Sequence, residues 1–221
     1  MQLIGLALSL AIAIPIGVLS AKKRYSLLDV TVTNSSLIGT SIPIFFLGIA
    51  FILIFGYNLH WFPSGGFQST TSDRYPYGNL VLDQLWHLTL PATVYTFALL
   101  APIVLLVRSS MLEVLRQDYI LAARASGLGE RTVIYKHGLR NALIPIVTYV
   151  GLYFGGLLAG APVTETVFNW PGVGRQFVTS TTQLDFPVIQ AVVVIITLMT
   201  LVANLVTDVT YAYIDPRIRL E

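Results

Sequence analysis

The sequence predicts an all-α integral membrane protein, a polytopic helical bundle with five visible spans. Three observations carry that expectation. Hydrophobic residues make up 55% of the 221, charged residues only 11%, and the mean hydropathy is +0.74, far from soluble averages. Five apolar runs approach the length of about 20 residues that a helix needs to cross a hydrocarbon core of about 30 Å. The basic residues, finally, gather in alternate connections between those runs. A net charge of +2 is too mild to suggest nucleic acid, so the placement of charge matters more than its sum. With no cysteine there is no disulfide framework and no thiolate metal site.

The first run, Leu3 to Ser20, has no basic residue before its apolar core and ends in Lys22, Lys23 and Arg24. That order is opposite to a secretory signal, so the run reads as a span. The others are Leu37 to Tyr57, Leu88 to Val107, Leu143 to Val163 and Pro187 to Val206. Segments 21–36, 108–142 and 207–221 hold eleven of the thirteen basic residues: Lys22, Lys23, Arg24, Arg108, Arg116, Arg124, Arg131, Lys136, Arg140, Arg217 and Arg219. Only Arg74 and Arg175 lie in the connections 58–87 and 164–186. The positive-inside rule puts the three basic segments in the cytoplasm and the two poorer ones outside. The N-terminus is then expected outside and the C-terminus inside, and a chain that starts outside is expected to have lost a preceding span. Residues 1–211 form the membrane domain and 212–221 a short cytoplasmic tail.

Ionisable residues are nearly absent from the spans, with Glu165 and Asp208 the nearest, at span ends. Because buried charge normally marks an ion or proton pathway, this argues against a proton-coupled carrier. Small and helix-loosening residues such as Gly5, Pro15, Gly17, Gly39, Pro43, Gly48, Pro91 and Gly151 read as close helix packing. The outer connection from Tyr57 to His87 holds Trp61, Phe62, Tyr75 and Tyr77, an interfacial aromatic belt. GAPVTETVFNWPGVGR, Gly160 to Arg175, mixes acidic, aromatic, proline and glycine residues. It reads either as a plain structured loop or as a gate facing solute, provided protein or water satisfies its backbone.

His60, His87 and His137 have no metal-ligand spacing. The sequence has no GxSxG, no HExxH and no GxxxxGK[ST], so neither a nucleophile, a zinc-peptidase motif nor a P-loop is expected in this chain.

The polar segment Asp118 to Pro145 interrupts the apolar pattern. Asp118 is placed to cap a helix over Tyr119 to Ser126, where Ala122, Ala123, Ala125 and Ser126 let another backbone approach closely. Gly127 breaks it. A second short helix is expected from Gly129 and Glu130 to about Leu139, with Val133, Ile134 and His137 at helical spacing and Arg131, Lys136 and Arg140 offering charge to a partner. The plain alternative is a solvated basic loop.

This segment resembles the cytoplasmic coupling loop of ABC importer permeases, whose signature is EAA, three residues, then glycine. Here Leu121, Ala122 and Ala123 are followed by Arg124 to Ser126 and by Gly127, with leucine replacing the glutamate. The usual closing Leu-Pro pair is Leu139 and Arg140, with proline delayed to Pro145. Both departures are similar to the dipeptide, oligopeptide and nickel branch, as are QDYILAARASGL, HGLRNALIP, ETVFNWPGVGR and the closing DPRIR.

The resemblance implies a type I ABC importer transmembrane fold with six spans per subunit. It also implies partners: a second homologous permease, two ABC ATPase subunits that bind ATP and Mg, an extracytoplasmic solute-binding protein, and the lipid of an inner or cytoplasmic membrane. No cofactor and no enzymatic activity are expected in this chain itself. By resemblance, Asp118, Tyr119, Ala122, Ala123, Ser126, Gly127, Arg131 and Arg140 serve ATPase coupling. Glu165, Phe168, Trp170, Pro171, Gly172, Gly174 and Arg175 would line the outer mouth or meet the binding protein. The solute is expected to be a peptide, a nickel complex, glutathione or another small molecule. The competing classes are a self-sufficient channel or ion-coupled carrier, and a membrane-anchored structural protein.

Overall fold

A computed structural model describes residues 1–69, 79–157 and 160–214, and among these every regular element is helical. In chain order they are α1 (Gln2–Lys22), α2 (Leu27–Ser41), α3 (Ile44–Phe51) running on as a π-helical stretch Ile52–Asn58, α4 (Leu80–Val114) and α5 (Asp118–Ala125). Next come α6 (Glu130–Thr132), a π-helical stretch Val133–Gly138, α7 (Leu139–Ala142), α8 (Ile144–Leu157), α9 (Pro162–Val167), α10 (Val173–Thr182) and α11 (Phe186–Ile214). Arg74, Tyr75, Tyr77, the DPRIR stretch and most of the expected tail lie outside the described residues.

The five expected runs are not all single helices. Among the described residues three helices are long and apolar enough to cross a bilayer, Gln2–Lys22, Leu80–Val114 and Phe186–Val206, and the pair Leu27–Ser41 and Ile44–Asn58 makes a fourth if counted as one broken span. The break falls at Ile42 (φ −85, ψ 120) and Pro43. Proline cannot donate to the preceding turn and pushes its predecessor out of helical geometry, which an apolar run cannot reveal. The run Leu143 to Val163 is likewise not one helix in the described residues: α8 covers 14 residues of it, and α9 opens at Pro162.

The chain divides into two compact units. One comprises Met1–Gly5, Pro43–Tyr95 and Gly151–Glu221, the other Leu6–Ile42 and Thr96–Val150. The first has a cluster of Leu90, Val94 and Phe168, with Ile44, Leu47, Phe51, Phe55, Phe62 and Val167 packed around it. Its aromatics interlock: Phe51 meets Phe55 edge-on at 5.3 Å between centroids, Phe62 lies 4.8 Å from Trp86, and Phe67 meets Trp170 at 5.1 Å. The expected aromatic belt is therefore partly a packing layer, with Trp61 still exposed.

In the second unit the small residues do what close packing requires. A Cβ added to Gly17 would stand 2.7 Å from the Val107 Cβ and 3.1 Å from the Val104 carbonyl, and one on Gly39 would meet the Ala101 Cβ at 3.1 Å. These glycines let α1 and α2 each lie against α4 at backbone distance.

Candidate functional site

The polar segment folds as a helical hairpin built from both of its short helices. Gln117 (φ −72, ψ 148) caps α5, with no side-chain bond to the cap. Asp118 is thus the first helical residue and not the cap expected for it; its carboxylate lies in the first turn, where the positive end of the helix dipole favours it. Ile120 is fully buried and anchors the helix, while Tyr119, Leu121, Ala122, Ala125 and Ser126 are exposed. Ala123 is half-buried.

Gly127 ends α5 for a geometric reason. Its φ is +78, a region that costs an L-residue about 1–2 kcal/mol. Its N–H donates to the Arg124 carbonyl at 3.0 Å, and the Leu128 N–H donates to the Ala123 carbonyl at 3.4 Å. Those two bonds are a Schellman closure, which satisfies carbonyls that the helix end would leave unpaired.

Two braces then hold the hairpin. Arg124 donates from Nε and Nη2 to the two carboxylate oxygens of Glu130, at 3.1 and 2.8 Å. This hydrogen-bonded guanidinium holds the Glu130 carboxyl below its ordinary value, because the partner favours the charged form. Exposed pairs contribute little to stability, but a bidentate fork fixes orientation. Asn141 Nδ2 donates to the Tyr119 hydroxyl at 2.7 Å and to the His137 carbonyl at 3.3 Å.

The second helix continues to Ala142, further than the expected end at Leu139, by way of the π-helical stretch. There the Leu139 N–H reaches the Ile134 carbonyl five residues back, a register often found at functional sites. Val133 and Ile134 are buried, His137 is intermediate, and Arg131, Lys136 and Arg140 are exposed. A Cβ on Gly138 would meet Leu115 at 3.3 Å, so this arm is seated by its apolar side.

The second predicted constellation is organised differently. Glu165 is buried, and its carboxylate accepts from the Ala161 N–H through Oε1 and from the Arg175 N–H through Oε2, both at 2.8 Å. One side chain therefore satisfies an amide at the start of α9 and another in the first turn of α10. The Trp170 N–H donates to the Glu165 carbonyl at 2.8 Å, and Arg175 Nη1 donates to the Asn169 carbonyl at 3.2 Å. Asn169 turns the chain with φ +50. Phe168 and Gly174 are buried, Trp170, Gly172 and Arg175 intermediate, and Pro171 exposed. Of the seven residues expected at the outer mouth, Glu165 and Phe168 thus build the loop from inside. An open cleft of about 520 Å³ is lined by Pro171, Gly172, Val173, Arg175, Gln176 and Thr179.

Sequence reasoning missed two buried carboxylates. Asp29 accepts from Ser20 Oγ at 2.6 Å, from the Tyr25 N–H at 2.9 Å, and from Arg108 Nε and Nη2 at 2.6 and 2.8 Å. The signal was Ser26 three residues before Asp29, a capping pattern; the Ser26 hydroxyl accepts from the Asp29 N–H at 3.3 Å. Asp83 accepts from the Ser69 N–H and hydroxyl, both at 2.7 Å, and its own carbonyl lies 2.9 Å from His87 Nδ1. A local sign was His87, one helical turn on, whose Nδ1 also lies 3.5 Å from the Asp83 carboxylate.

Comparison with known proteins extends these observations along the whole chain. Residues 13–220 match the family described as binding-protein-dependent transport system inner membrane component. The chain is 44% identical over 218 residues to the oligopeptide transport system permease protein AppB of Bacillus subtilis, covering 99% of this chain and 67% of that one. It is 41% identical over 216 residues to the di/tripeptide transport system permease protein DppB of Pseudomonas aeruginosa, covering 92% and 64%. With the dipeptide transport system permease protein DppB of Escherichia coli K12 the identity is 40% over 227 residues, covering 95% and 66%. The chain spans about two thirds of the length of the curated relatives it matches.

Proposed function

Because this chain belongs to the family of binding-protein-dependent transport inner membrane components, we propose that it is a permease subunit of an ATP-driven importer, forming part of the path for a peptide. The relatives named above are permeases for oligopeptides, di/tripeptides and dipeptides, which favours a peptide over a nickel complex or glutathione. The observation that carries the coupling role is the hairpin: a short helix with an exposed small-residue face, closed at Gly127 and braced by Arg124 to Glu130 and by Asn141 to Tyr119. A braced helix passes on a push that a solvated loop would absorb. Its exposed Ala122, Ala125 and Ser126 are small enough for close approach by an ATPase subunit.

Coupling then works by differential binding. ATPase subunits that hold ATP and Mg close on each other, and the state of the membrane helices that best fits the closed pair becomes the populated one. No bond is made or broken in this chain. A second permease and an external binding protein complete the assembly, with the hairpin in the cytoplasm and the Glu165 loop outside a cytoplasmic membrane.

The test is Ala122→Trp in the assembled complex. Ala122 is exposed, so the permease should reach the membrane at the wild-type level while ATP-dependent peptide uptake in proteoliposomes falls at least about tenfold. Uptake at the wild-type rate with normal ATP coupling would sink the assignment.

A further inference from the structure

Within the second unit, a cavity of about 220 Å³ is lined by Lys22, Arg24, Arg116 and Arg124, with Glu130 the single carboxylate on its wall. Glu130 is already taken by both nitrogens of the Arg124 fork. That leaves Lys22, Arg24 and Arg116 facing one carboxylate whose hydrogen bonds go to Arg124 and which Lys22 attracts only at longer range, an excess of positive charge in the lining. Arg24 is held in place over the Tyr25 ring, 4.3 Å from its centroid. The floor is apolar, formed by Leu112, Leu115 and Ile134.

Position makes this arrangement specific. Lys22 is the last residue of the apolar helix α1, and Arg116 lies two residues beyond the end of α4 at Val114. The cavity therefore stands just beyond the apolar runs of α1 and α4, at the same end of both helices. A cationic rim over an apolar floor at that depth matches a group with negative oxygens on one side and hydrocarbon on the other. Guanidinium forks and an ammonium suit a phosphate, whose several acceptor oxygens can serve more than one donor. The cavity is too small for a folded partner.

We propose that this cavity binds a phosphate group, supplied either by the headgroup of an anionic phospholipid or by a free phosphate. The inference rests on the multi-pass membrane reading but not on peptide transport, so a failure of uptake leaves its readout untouched.

The experiment uses the purified, complete transporter in nanodiscs of equimolar phosphatidylglycerol and phosphatidylcholine, with retained lipids counted by native mass spectrometry. Two double variants remove equal charge: Lys22→Gln with Arg116→Gln in the lining, and Lys23→Gln with Lys136→Gln outside it. The lining variant should lose the preference for phosphatidylglycerol by about tenfold or more, and the outer variant should keep it. A parallel arm measures labelled inorganic phosphate on the transporter in phosphatidylcholine alone, at matched ionic strength. Phosphate retention lost only in the lining variant, without a lipid preference, assigns the site to free phosphate. Equal losses in both variants, or no retention of either ligand by the wild type, would overturn the proposal.

Discussion

The two predicted constellations are both pairs of short helices joined by a glycine-containing turn, yet they place their glycines oppositely. In the hairpin that starts at Asp118, a Cβ on Gly127 or Gly129 would meet nothing within 4 Å. In the loop around Glu165, a Cβ on Gly172 would stand 2.2 Å from the Glu165 Cδ, one on Gly174 2.6 Å from the Pro162 nitrogen, and one on Gly160 2.8 Å from the Gly174 nitrogen. The first region keeps space free on its outer side, for something else to approach. The second has used its space to fold on a buried carboxylate. Their braces differ in the same sense: Arg124 to Glu130 is exposed, whereas both bonds of Glu165 reach backbone amides from a buried side chain.

The sharpest way to break this contrast is to add one methyl group to each region. Gly172→Ala forces a carbon into the Glu165 carboxylate and should cost about 1–3 kcal/mol or more, the range for overpacking a filled site. Gly129→Ala, with φ −61 and open space, should stay within about 0.5 kcal/mol of wild type. Thermal denaturation of the detergent-solubilised protein compares them, and equal midpoints would remove the distinction.

A comparable effect is expected from Glu165→Gln. The amide keeps the shape but gives up charge-assisted acceptance from two N–H groups, and turns one donor toward amides that already donate. A loss of about 1.5–3 kcal/mol is the range for hydrogen bonds to a charged group. Faster amide exchange at Ala161 and Arg175, with the hairpin unchanged, is the specific signature.

Least of all should come from Arg124→Gln. An exposed pair contributes about 0–1 kcal/mol, so global stability should hardly move. The pH dependence gives the sign. Glu130 titrates below its ordinary 4.5 in the folded chain, so the pair's contribution is complete above that pH and is lost as pH falls through the lower, folded value. Protection of the α5 amides, measured against their intrinsic exchange at each pH, should therefore fall in acid in the wild type. In Arg124→Gln it should already be lowered at neutral pH and change less on acidification.

How far the sequence could be read follows from how local each cause is. The break at Gly127 was legible because positive φ is a property of one residue and its neighbours, and the apolar anchors Val133 and Ile134 were legible from spacing alone. Asp118 misled because Gln117, which has no capping side chain, takes the cap position; a residue type that favours a cap does not fix which residue turns first. The interruption at Pro43 was visible as a proline but submerged in an apolar run. Asp83 escaped notice because its partner, Ser69, is 14 positions away, and Arg108, read as one more cytoplasmic cation, pairs with Asp29 across 79 positions. Such partnerships exist only after the helices have met.

The Asp29 group carries one last consequence. A carboxylate offers about four lone-pair positions, and those of Asp29 receive four hydrogen bonds, from Ser20, Tyr25 and the two nitrogens of Arg108. With its seats filled, the group has no vacancy for a travelling proton or a sodium ion. It acts as a rivet joining α1, α2 and α4, and not as a relay. A buried charge in a transporter need not be part of its fuel line.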